Sequence, residues 1–253
     1  MHEVPLAGKT ALVTGAGRNI GRAIALALAE AGARVVVNVR TSRGEGQAVV
    51  DEIVASGLEA LLVVADVTDR SSVDAMMAAT ASRFGGLDIL VNNAAIRQEA
   101  AFADMTYAHW RAALDVCVDG AFHCAQSALP LLLQSDAGVI VNIGGLSAST
   151  GATQRAHVVT AKAALGGLTR ALAHELAPSG ITVNCVSPGL IDTVRKADSA
   201  SAAPAHHKLA KTLLGRRGRP DEIASAVVWL AGPGARYCTG QTLHVNGGAY
   251  LGV

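Results

Sequence analysis

Residues 10–32 read TALVTGAGRNIGRAIALALAEAG. A short apolar run ends in the turn Thr14-Gly15-Ala16-Gly17-Arg18-Asn19-Ile20-Gly21, and the residues after it carry Ile, Leu and Ala at helical spacing up to a closing glycine. Strand, glycine turn and helix in that order let backbone N–H groups and the positive end of the helix dipole approach a pyrophosphate. Glycines at such spacing carry little weight alone; their place between the first strand and the first helix supplies it. Gly15, Arg18, Asn19, Ile20 and Gly21 are the predicted phosphate-side contacts of a dinucleotide. The alternative is a bare structural turn.

Outward from this unit the chain repeats the same alternation. Apolar strand-like runs fall at 10–13, 35–39, 60–64, 87–91, 139–143, 181–186 and 241–245, with helical stretches between them. Continuous Val, Leu and Ile runs indicate strands buried on both faces, and intervening helices imply parallel pairing through right-handed crossovers. The predicted fold is α/β, a single doubly wound (Rossmann-type) domain over residues 1–253 with a seven-stranded parallel sheet. A long helix is expected over 104–133. The second strand ends Val37-Asn38-Val39-Arg40-Thr41-Ser42, with no acid to grip a ribose 2′-hydroxyl. Arg40 and Ser42, with Arg18, offer charge and a hydroxyl to a 2′-phosphate, so NADP is expected in preference to NAD.

The totals set outer limits. A chain of 253 residues suits one large α/β domain, and 51% apolar residues with only 3% aromatics suits helices packed on a sheet through small aliphatic contacts. A net charge of +1 leaves no electrostatic footprint for nucleic acid or an anionic membrane. The start MHEVPLAGKTALVTG reads as no secretory leader, and no apolar run is long enough to span a bilayer. Cys117, Cys124, Cys185 and Cys238 form no CxxC pair, which predicts free thiols in a reducing cytoplasm and no metal site.

Ala161-Lys162-Ala163-Ala164-Leu165 and Asn184-Cys185-Val186-Ser187-Pro188-Gly189, added to the glycine turn, resemble the short-chain dehydrogenase/reductase family in its 3-oxoacyl-ACP-reductase-like form, and the likeness runs from Leu6 to Tyr250. The resemblance implies nucleotide contacts from Asp66 and Val67, from Asn93 and Ala94 in a segment like the family's NNAG, and from Pro188, Gly189, Ile191 and Thr193 around the nicotinamide. It places Lys162 on the nicotinamide ribose, a substrate lid over 195–214, where a disordered surface loop is the plainer alternative, and a homotetramer as the expected assembly. The family pattern has glycine at Asn19; asparagine is among the few residues that accept a left-handed backbone, so the turn is expected to survive.

The departures lie at the chemistry. In the family a tyrosine four residues before the lysine moves the proton, a serine assists it, and an asparagine on the long helix holds a water on the lysine. Here those places fall on Val158, Gly145 and Cys117, and only Lys162 remains. Neither a valine nor a glycine side chain carries a proton. His157 is a candidate substitute, although neighbours on a helix point about 100° apart, and the alternative is an ordinary helix-face residue. Ser147 and Ser149 offer hydroxyls from the next loop or simply satisfy its backbone. Arg97 and Arg155, with Arg195 and Lys196, would suit an anionic small-molecule substrate near Gly145 and Val158; scattered solubilising charge is the plainer reading. Three functions follow: an NADP-linked oxidoreductase with altered proton transfer on a small carbonyl or hydroxyl compound, a cofactor-binding protein without redox turnover, and non-redox lyase or aldolase-type chemistry through Lys162 or His157.

Overall fold

The computed structural model describes residues 4–194 and 212–252. Alternating elements run β1 (Thr10–Val13), α1 (Asn19–Glu30), β2 (Arg34–Val39), α2 (Arg43–Ala55), β3 (Ala60–Val64), α3 (Arg70–Phe84) and β4 (Ile89–Asn92). Then come α4 (Tyr107–Leu114), α5 (Gly120–Leu132), β5 (Val139–Ile143), α6 (Ser147–Thr150), α7 (Ala156–Leu176), β6 (Thr182–Pro188), α8 (Pro220–Ala231) and β7 (Thr242–Val245). The seven strands form one sheet in the order β3-β2-β1-β4-β5-β6-β7, with every pair parallel. This is the doubly wound Rossmann-type arrangement expected from the alternation.

Period-two alternation divides the apolar strand residues between two cores. Ala11 and Val13 of β1 face one core with Val35, Val37, Val139 and Val141, against α1 and α8; Leu12, Val36 and Ile140 face the other, against α3 and α5. The strand order reverses between β1 and β4. Crossover connections leave in opposite directions there, which opens a crevice at the carboxyl ends of the strands.

The helix expected over 104–133 is divided. It starts at Tyr107, where Thr106 and His109 form a reciprocal cap, and a π turn over Asp115–Asp119 separates α4 from α5. Cys117 lies in that turn, buried against Ala113, Val158 and Ala161. At the opposite, amino-terminal rim of the sheet, Lys9 pairs with Asp88 and Asp136, and Asp88 also accepts the Thr10 N–H at 2.8 Å.

Candidate nucleotide-binding and active-site cleft

The glycine turn is built from both sides. Asn93 Nδ2 donates to the carbonyls of Thr14 and Gly15 at 2.8 and 3.1 Å, while Thr14 Oγ1 accepts the N–H groups of Asn93 and Ala94. On the other side the Gly15 N–H donates to Asn38 Oδ1 at 3.3 Å, and Asn38 Nδ2 reaches the Ala65 carbonyl at 3.1 Å. Gly15 and Asn19 have φ of 63° and 51°. A Cβ on Gly21 would lie 2.4 Å from the Gly15 carbonyl and 2.5 Å from Asn93 Nδ2, so only glycine lets the helix pack this closely.

α1 begins with neither a side-chain cap nor an acid in its first turn, whereas α3 is capped by Asp69. The first N–H groups of α1 therefore face the cleft with the positive end of the dipole unopposed, which fits a pyrophosphate. That cleft has a volume of 1920 Å³ and runs without interruption from Arg40 and Ser42, past the glycine turn, to Lys162 and the loop after β6. All the nucleotide-side positions named from the sequence line it, including Asp66, Val67, Ala94, Ile191 and Thr193. The Asp66 carboxylate is engaged with Thr68, accepting its N–H at 2.9 Å and its hydroxyl at 2.8 Å, which shapes the turn after β3.

At the far end, Gly145, Val158, Arg97, Arg155 and Ser147 line the same cleft as Lys162. Lys162 Nζ donates to the Ile143 carbonyl at 2.6 Å. Burial, above all, holds its pKa below the ordinary lysine value; Arg97 pushes the same way, while Cys117 and Cys185 oppose. A Cβ built on Gly145 meets no atom within 4 Å. α7, which carries Lys162, is tied to the sheet by a buried polar relay: Asn92 Nδ2 donates to Asn142 Oδ1, and Asn142 Nδ2 to Thr169 Oγ1, each at 2.9 Å.

His157 is not brought to this cleft. Its side chain is 0% exposed, both ring nitrogens lack a hydrogen-bond partner, and burial lowers its pKa, so it is a neutral ring in the helix packing. One residue along the helix turns it away from the face that carries Val158 and Lys162. Ser149 and Cys117 also lie outside the cleft lining, and Arg195, Lys196 and most of the 195–214 stretch lie outside the described residues. The lining also includes residues that the sequence did not single out as contacts, Asn38 and Glu45 among them. Asn38 had a signal, a lone amide within a valine run. Glu45 sits beside Gly17 at the Arg40 end of the cleft and carries the opposite charge to Arg40.

A family model described as enoyl-(acyl carrier protein) reductase matches residues 15–250. The chain belongs to the short-chain dehydrogenase/reductase family. It is 42% identical over 243 residues to the 3-oxoacyl-[acyl-carrier-protein] reductase FabG of Staphylococcus aureus, covering 96% of this chain and 98% of the relative. Among solved structures, a dehydrogenase/reductase from Sinorhizobium meliloti superposes with TM-score 0.91 at 38% identity, covering 98% of each chain. A short-chain dehydrogenase from Burkholderia cenocepacia in complex with NADP gives TM-score 0.90 at 38% identity, covering 97% of this chain and 99% of the other.

Proposed function

We propose that this chain is an NADP-dependent oxidoreductase acting on a small, anionic carbonyl or hydroxyl compound with an altered proton-transfer arrangement. One observation carries the reading: a single cleft joins the uncapped glycine turn and Arg40 to Lys162. Hydride transfer is the chemistry a bound nicotinamide supplies. The chain's part is to hold the phosphates at α1, set the ribose against Lys162 and manage a proton. With Val158 and Gly145 at the tyrosine and serine places, Lys162 is the member of the family's set that this chain retains in the cleft, and it takes the role of exchanging that proton. Arg97 and Arg155 favour a substrate carrying a carboxylate or phosphate. A single domain over 1–253, a lid over 195–214, a homotetramer and a cytoplasmic location complete the proposal on the family expectation.

Titration of NADPH and NADH by fluorescence, followed by a carbonyl panel read at the nicotinamide absorbance, tests it. Arg40→Ala is expected to weaken NADPH binding about tenfold, the scale of a lost charge-assisted hydrogen bond, and to leave NADH binding nearly unchanged. An equal loss for both nucleotides would exclude Arg40 as the 2′-phosphate contact and remove the basis for preferring NADP. Tight NADPH binding with no turnover across the panel points to binding without redox chemistry.

Burial of the Lys162 amine at the cleft wall, which lowers its pKa, favours a second reading, carbonyl chemistry through a Schiff base. Its nitrogen would add to the substrate carbonyl with loss of water, and borohydride would reduce the imine to a stable secondary amine. Because burial lowers the pKa, trapping should set in at a lower pH than for an ordinary lysine. A mass increase equal to that of the ligand less one oxygen, water being lost and two hydrogens gained, and abolished in Lys162→Ala, is the expected outcome; no adduct on the unmodified chain excludes this reading.

A further inference from the structure

Asn19 holds the left-handed backbone position of the glycine turn, and its side chain reaches across the cleft. The Val194 N–H donates to Asn19 Oδ1 at 2.8 Å, and Asn19 Nδ2 donates to the Val194 carbonyl at 3.0 Å. The two residues follow β1 and β6, which have β4 and β5 between them in the sheet. Strands so placed stand about 14 Å apart at ordinary strand spacing. Asn19 and Val194 line one cleft with Asn93, Ala94, Ile143 and Gly144 from the carboxyl ends of β4 and β5, so the bond joins loops from the two sides of that cleft. The loop after β6 is also held from its other side, by the Asp192 N–H on the Gly218 carbonyl at 2.8 Å and by the Arg217–Asp192 ion pair at 2.6 Å. Asn19 is its anchor on the phosphate side.

We infer that Asn19 is a cofactor-retention residue, whose carboxamide forms a bar over the crevice and slows departure of the bound dinucleotide. The inference rests on the NADP reading above. A nucleotide that runs from the Arg40 end to Lys162 passes beneath the bar, and a glycine at this turn has no side chain with which to form it.

Asn19→Gly tests this directly, because glycine accepts the positive φ without strain while both bonds disappear. NADPH bound to the full chain is displaced with excess NADP⁺, and its loss of fluorescence is followed by stopped flow. The dissociation rate should rise about tenfold, the scale expected for two hydrogen bonds of modest net strength, with the association rate changed by less than about twofold. In the nucleotide-free variant the Val194 amide should exchange its hydrogen faster than in the unmodified chain. An unmodified chain that binds no nicotinamide nucleotide overturns the cleft reading and the bar with it. Binding with an unchanged dissociation rate in Asn19→Gly, or unchanged exchange at Val194, overturns the bar alone.

Discussion

Val158→Tyr combined with Gly145→Ser is expected to raise NADPH-dependent carbonyl reduction by about 10²-fold or more, the usual worth of a positioned general acid. Val158 lies one helical turn before Lys162 on the cleft-facing side of α7, so a phenol there comes under the influence of the lysine charge, which lowers its pKa. The serine position is sterically free, since a Cβ on Gly145 contacts nothing. The tyrosine position is tighter: Val158 is 4% exposed and packs with Ala113, Cys117 and Ala161, so the larger ring has to extend into the cleft. Val158→Phe with Gly145→Ser is the control, adding the ring without the hydroxyl, and should show no gain. If the tyrosine variant binds NADPH as before yet reduces no member of the panel faster, the assignment of Val158 to the vacant proton-transfer position fails.

Gly21→Val should abolish measurable NADPH binding, a loss of at least about 10²-fold. A Cβ at this position would fall within 2.5 Å of both the Gly15 carbonyl and Asn93 Nδ2. Neither neighbour can yield cheaply, because the first is backbone of the phosphate turn and the second holds that turn to the strand below. The helix must therefore move away, taking its N–H groups out of reach of the phosphates. Calorimetry with NADPH, alongside a thermal melt of the nucleotide-free variant, separates lost binding from lost folding: the expected pattern is a folded chain with no binding heat. Binding within a few-fold of the unmodified chain would remove the glycine turn as the phosphate site.

The sheet was legible because its inner strands are short aliphatic runs buried on both faces, which leaves few other uses for such runs, whereas the edge strands β3 and β7 are only partly buried. The glycine turn was legible for a related reason: positive φ and close helix approach restrict residue choice at Gly15 and Gly21 more than almost anywhere else in the chain. Residues that act through direction rather than type were harder. His157 and Val158 are neighbours in sequence, and only the phase of α7 decides that Val158 lines the cleft and the imidazole does not. The π turn at Asp115–Asp119 has no marker in composition, since one wide turn inside a helix is settled by tertiary packing. The Asn19–Val194 contact joins residues 175 positions apart, and no local pattern announces it.

All seven strands run the same way, so the molecule has a working end and a resting end. The nucleotide cleft occupies the first, and the cluster of Lys9, Asp88 and Asp136 sits at the second. Tethering the protein to a bead or electrode through the resting end would leave the entrance unobstructed, with the exposed Asp136 as the attachment point, since Asp88 accepts the Thr10 N–H that starts β1.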